Sequence, residues 1–279
     1  MISNNLEFNE LKGARIHFID IQNLNFKWPE FFEISDGKRN FRDNFWFSTK
    51  ARLYVIPIFM EIYSIQKIIH LENDVWIHPE FPFHIFEYLD YPLAFPRVDS
   101  ERAIASILFI NGSEGRRLLL DSCEKWPMQT DMQILGKLIL SQKNVCELPS
   151  TYGGVEEHFD GWIFDGAKLG MYLFGSDPRN TYGLVKRFDF SPLGSVGTKF
   201  KLKLTNKVLF LQDEVKERKI ANLHIHSKNI SMFSYQWDRA LVNQLRKRSL
   251  RLSLGFDLRA FFFVIQEMTH RVLRKLGKK

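Results

Sequence analysis

The chain has 279 residues, 45% of them hydrophobic and 25% charged, proportions of an ordinary globular protein that exclude disorder as the default. Two cysteines, Cys123 and Cys146, are too few for a disulfide framework or a structural zinc site and fit a reducing compartment. The formal charge of +7 is concentrated in residues 238–279, where 11 Lys/Arg against three Asp/Glu give +8 and leave residues 1–237 at 7 − 8 = −1; a near-neutral body argues against a nucleic-acid binder.

No basic segment followed by an apolar one opens the chain, and no run approaches the ~18 apolar residues of a spanning helix, so a cytoplasmic protein is expected. Residues 14–21 alternate and then turn apolar, predicting a strand. Residues 23–47, rich in Phe, Trp, Asn and Asp with a turn at Ser35-Asp36-Gly37, predict a partly packed loop. A helix is predicted over 48–65, capped by Ser48 or Thr49 and kinked at Pro57. The β-branched run Lys67-Ile68-Ile69-His70-Leu71 predicts a buried strand ending at Glu72-Asn73-Asp74. Strands over 92–98 and 103–110 follow, then helices over 114–123 and 131–140, the second capped by Thr130 or Asp131. Residues 145–200 are rich in Gly, Pro and aromatic residues without a period and predict a long loop-rich region. Two short strands around Thr205-Asn206-Lys207 and a strand over 220–225 complete a catalytic domain of residues 1–236. Residues 237–279 predict a basic amphipathic tail, helical on both sides of Gly255, with Phe261, Ile265, Met268, Val272 and Leu276 on one face.

Chemistry concentrates at Glu72 and Asp74. Two carboxylates one residue apart, at the C-terminal end of a buried strand, sit where open α/β sheets bind ligands. Hard oxygens of this kind can share one Mn²⁺ or Mg²⁺. A solvated acidic turn is the plain alternative.

The run Ile68-Ile69-His70-Leu71-Glu72-Asn73-Asp74-Val75 resembles the strand and Leu-Asp-Ala-Asp-Thr motif of GT-A glycosyltransferases, most nearly family 8, the glycogenin and lipopolysaccharide galactosyltransferase group, with Glu72 in place of the first Asp. That resemblance implies an α/β fold of GT-A type, a mixed sheet flanked by helices, followed here by the C-terminal helical tail. It implies a nucleotide-sugar donor of UDP type and a divalent cation held by Glu72 and Asp74. Thr49-Lys50-Ala51-Arg52-Leu53 is similar to the family's basic residue at the start of the preceding helix, which implies diphosphate contacts from Lys50 and Arg52. A solvent-facing helix start is the alternative there. Ala105 to Asn111 is similar to the strand lining the donor sugar, and Glu147-Leu148-Pro149 with Tyr152 to the family's Leu-Pro and aromatic close. Thr130-Asp131-Met132-Gln133-Ile134-Leu135 is similar to the family's Asp-Gln-Asp segment; Asp131 would hold donor-sugar hydroxyls or serve as a plain helix cap. Asn222 to Asn229 is similar to the strand-end His and downstream Lys that complete the metal shell and the phosphate contacts. His224 and His226 point the same way on alternation. His226, nearer the strand end, is the preferred third ligand, with Lys228 on the diphosphate.

The segment from Phe159 to Asn180 resembles a motif of uncharacterised bacterial and viral surface-glycan transferases, and implies an acceptor wall of aromatic faces and carboxylates. Asp165 would contact the acceptor hydroxyl or, with Glu156 as the alternative, act as base if the reaction inverts; a retaining reaction needs no base in that role. An aromatic structural loop is the alternative. The implied reaction moves a sugar onto a glycan or lipid-linked hydroxyl, and the basic tail either meets an anionic membrane surface or packs on the domain. GT-A domains open with a strand and loop that seat the nucleotide base. Here 15 residues precede Ile16, so the expectation is that the natural N-terminus lies upstream of this sequence or that the base site is built differently. A catalytically silent sugar- or nucleotide-binding protein and a paired-acid hydrolase are the rival functions.

Overall fold

Short apolar runs between turn residues make strands that must pair to be stable. The computed structural model describes residues 24, 27–30, 45–174, 201–205, 208–212 and 216–225. The strand predicted over 14–21, most of the loop over 23–47, His226, Lys228 and the tail over 237–279 lie outside the described residues. In chain order the elements are α1 (Phe45–Ile62), β1 (Lys67–Leu71), β2 (Val75–Ile77), α2 (Phe83–Tyr88), β3 (Leu93–Pro96), β4 (Ile107–Asn111), α3 (Gly112–Lys125), α4 (Asp131–Ser141), β5 (Val145–Leu148), β6 (Trp162–Phe164), α5 (Lys168–Phe174), β7 (Lys201–Thr205), β8 (Val208–Gln212) and β9 (Glu217–His224). The architecture is mixed α/β, with two sheets and flanking helices.

The first sheet has the order β1-β4-β3-β5. β4 is antiparallel to β1 and β3, and β3 is parallel to β5, so β1, β3 and β5 all end at one edge. The central strands are apolar on both faces, as strands buried between two layers must be. Leu93, Phe95, Leu108 and Ile110 meet Leu53, Ile56 and Met60 of α1, Leu119 of α3 and Leu135 of α4. Ala94, Ile107 and Phe109 face the other way, onto Phe86, Phe159, Trp162, Phe164 and Ala221. That second layer joins the two sheets.

The second sheet runs β2-β9-β8-β7, with β6 also paired to β9. β6 is parallel to β9 and β2 antiparallel to it. The ends of β6 and β9 therefore meet the beginning of β2. Glu72-Asn73-Asp74 is the turn that carries the chain from β1 in one sheet to β2 in the other, which brings the two C-terminal edges together at those carboxylates.

β9 carries an irregularity that sets which side chains point where. Ile163 pairs with Ile220 but Phe164 pairs with Asn222, so one residue is inserted at Ala221. A bulge reverses the alternation beyond it. Ile220, Leu223 and Ile225 consequently share the apolar cluster under α5 with Leu169 and Leu173, and Asn222 and His224 are turned away from it.

Several boundaries correct the sequence expectations. The first helix begins at Phe45, so Ser48 and Thr49 lie inside it and cannot cap its start; Lys50 and Arg52 are its sixth and eighth residues, past the first turn. The strand predicted over 103–110 begins only at Ile107, with Ala103 in an isolated bridge to Arg97. The region predicted as loop-rich over 145–200 holds β5, β6 and α5. β2 and α2 had no counterpart among the predicted elements. No helix among the described residues is long and apolar enough to cross a membrane.

Candidate metal centre

Glu72, Asp74 and His224 converge where the two sheets meet, and one ligand atom from each lies within 4.8 Å of the others. The register of β2 on β9 puts Val75 opposite His224. The main chain fixes both sides of this contact: Ile225 N–H donates to the Asp74 carbonyl at 2.7 Å, and Val75 N–H closes the turn onto the Glu72 carbonyl at 3.1 Å. His224 Nε2 stands 3.2 Å from Glu72 Oε2 and 3.3 Å from Asp74 Oδ2.

The other imidazole nitrogen settles the tautomer. Nδ1 lies 2.7 Å from the Gly166 carbonyl, which can only accept, so Nδ1 carries a proton and Nε2 is the nitrogen directed at the carboxylates. Metal-binding histidines are oriented by a second-nitrogen bond of this kind. Glu72 Oε2 is buried and makes no hydrogen bond; its partner is His224 Nε2 at 3.2 Å, and a cation between the two would take over that charge contact. Two carboxylates and an imidazole suit a divalent cation such as Mn²⁺ or Mg²⁺.

Charge is finely opposed here. Burial lowers the His224 pKa, but attraction to Glu72 and Asp74 outweighs it and raises it to about 9. Burial raises the Glu72 pKa, and Arg52 and His224 overcome it, holding the carboxyl below its ordinary range. His70, on the same strand end, is driven down to about 4 by burial and by Arg52, and stays neutral.

Asp165, the predicted base, is 1% exposed. Its Oδ1 accepts the Leu169 N–H at 3.0 Å; its Oδ2 accepts Gly170 N–H at 2.7 Å and His224 N–H at 3.1 Å. Its own N–H donates to Asn222 Oδ1 and its carbonyl accepts from Asn222 Nδ2, each at 2.9 Å, and from Ser106 Oγ at 3.1 Å. This carboxylate pins α5 to the end of β9. Burial raises its pKa against the pull of those donors. Gly170 completes the joint: a Cβ there would lie 1.8 Å from the His224 carbonyl oxygen.

Arg52 bridges Glu72 and Asp131, Nη1 on Glu72 Oε1 and Nη2 on Asp131 Oδ2. Thr130, not Asp131, caps α4, in a reciprocal capping box with Gln133. Lys50 is buried, its ammonium donating to the Pro127 carbonyl. Glu156 lies at the surface, in ion pairs with Lys216 and, at 3.5 Å, Arg218. The structure therefore brings together Glu72, Asp74, Arg52 and Asp131, with Asp165 just behind His224, and leaves Glu156 and Lys50 in contacts elsewhere. Asn222, Gly166 and Ser106 lie inside segments singled out in the sequence, but no structural role could be assigned to them there. His224 had a local signal, the alternation it shares with His226. Comparison with protein-family models, curated proteins and solved structures finds no match to this chain.

Proposed function

We propose that this chain is a metal-dependent glycosyltransferase of GT-A type, using a nucleotide-diphosphate sugar, a UDP-sugar by preference, and a glycan or lipid-linked hydroxyl as acceptor. The observation that carries the reading is the convergence of Glu72, Asp74 and His224 on one point. A divalent cation held there would neutralise negative charge developing on the leaving diphosphate. Glu72 and Asp74 supply oxygens, and His224 supplies Nε2 with its ring fixed by Gly166. Lys228, four residues past His224, is the remaining diphosphate contact, because Arg52 is engaged by carboxylates and Lys50 is buried. Asp131 offers its second oxygen, buried and without a hydrogen bond, to a donor-sugar hydroxyl.

Asp165 and Glu156 are both committed to protein contacts, which favours a retaining reaction in which the leaving phosphate takes the acceptor proton. The same observation favours the rival, a silent nucleotide- or sugar-binding protein. Calorimetric titration of UDP with and without Mn²⁺, on the wild type and Asp74→Ala, tests the donor site. Metal-dependent binding lost in the variant supports the proposal; UDP binding indifferent to metal and to Asp74 overturns it. Transfer or hydrolysis of any nucleotide sugar then excludes the silent rival.

A further inference from the structure

Asp131 is 2% exposed although Thr130 and Gln133 already cap its helix without it. A carboxylate is not buried at that cost without a partner. Its partner is Arg52, whose other arm holds Glu72 Oε1. The pairing leaves Glu72 Oε2 as the oxygen facing His224 Nε2 at 3.2 Å. Glu has one more rotatable bond than Asp, so a glutamate in the metal shell needs an external hold to present one oxygen. A planar guanidinium can grip two carboxylates at once in fixed geometry; a lysine ammonium cannot do so with the same direction.

We propose that Asp131 and Arg52 form a positioning relay for Glu72, so that divalent-metal affinity depends on a carboxylate outside the metal shell. The inference rests on the metal reading of Glu72, Asp74 and His224. Asp131 fixes Arg52, Arg52 fixes Glu72 Oε1, and Glu72 Oε2 meets the cation. Whatever engages the second Asp131 oxygen is coupled through this chain to the metal, and by linkage the coupling is reciprocal.

The test is Mn²⁺ titration by calorimetry on the full chain, with Asp131→Asn compared against Glu147→Gln. Glu147 belongs to another partly buried pair, its Oε2 3.2 Å from Arg97 Nε, and serves as the control for loss of an ion pair as such. Asp131→Asn is expected to weaken Mn²⁺ binding roughly tenfold, as loss of an outer-shell partner does, and Glu147→Gln to leave it unchanged. Melting of both variants in chelator separates affinity from folding. Wild-type affinity in Asp131→Asn, or an equal loss in Glu147→Gln, overturns the relay. If Asp131→Asn does not fold by circular dichroism, Arg52→Lys is titrated in its place, with the same loss expected and the same unchanged affinity counting against the relay. A wild type that binds no Mn²⁺ overturns the metal reading itself, and the relay with it.

Discussion

Glu72 and His224 face each other across the candidate metal site, and they are held by different means. Glu72 is held by charge, through Arg52 and Asp131. His224 shares charge with Glu72 and Asp74 but is also anchored through its backbone: its N–H is taken by the buried Asp165 carboxylate, its ring by the Gly166 carbonyl, and its strand by β2. An ion pair between side chains can be weakened without moving the backbone, whereas a fully buried network that ties backbone groups together rigidifies the fold and is costly to leave half-satisfied. Substitutions on the histidine side should therefore register first in stability, and those on the glutamate side first in ligand affinity.

The largest effect is expected at Asp165→Ala. It strands the N–H groups of Leu169, Gly170 and His224, at roughly 1–2 kcal/mol each, less the relief of no longer burying a carboxylate. About 3 kcal/mol of stability should be lost in urea denaturation. A loss below about 1 kcal/mol would mean that the Asp165 carboxylate does not anchor the histidine side. Next comes Gly170→Ala. The added methyl would overlap the His224 carbonyl and force α5 away from β9, costing about 2 kcal/mol. Mn²⁺ affinity should fall with it, because the displaced carbonyl belongs to the metal-facing residue. Unchanged melting would show that the joint is loose.

How much of this was legible in the sequence follows the same division. β1 was predicted at Lys67–Leu71 and is found there, because a short β-branched run between turns specifies a strand locally, but it is an edge strand with no fully buried residue and not the buried strand expected, since its place at the sheet edge is a long-range fact. α4 was equally legible, predicted over 131–140 with Thr130 or Asp131 as its cap, and Glu72 and Asp74 stood out as paired acids. β6 and α5, of three and seven residues, were hidden in a region without period, since their positions depend on Asn222 and Asp165 bonding across more than fifty residues of chain. His224 against His226 could not be decided by alternation, which treats them alike. The pairing of Val75 with His224 and the inserted Ala221 are long-range facts that place His224 in the cluster, while His226 lies outside the described residues. Arg52 was visible as a basic residue, but its partners Glu72 and Asp131 come from two other elements.

The proton on His224 sharpens the comparison. Its pKa in the metal-free protein is raised from 6.5 to about 9, so it adds stability that is full below about pH 6.5 and lost as pH rises through 9. Metal binding needs the neutral ring and must expel that proton. Apparent Mn²⁺ affinity should climb with pH up to about 9, by as much as tenfold per unit, while metal-free stability falls over the same window. Calorimetry in buffers of different ionisation enthalpy would count the proton released. Affinity flat between pH 6.5 and 9 would remove His224 from the metal shell.

The smallest effect is expected at Glu156→Gln. Its pair with Lys216 lies at the surface, where such pairs contribute about 0–0.5 kcal/mol, and its pair with the buried Arg218 is a long one at 3.5 Å. Stability and Mn²⁺ affinity should both be unchanged, which makes the substitution a clean probe of chemistry. With neither protein hold involved, a transfer rate that stays at the wild-type level confines Glu156 to the surface and leaves proton removal to the donor's own phosphate. A rate that drops a hundredfold or more, the usual contribution of a general base, would reinstate Glu156 as that base and make the reaction inverting.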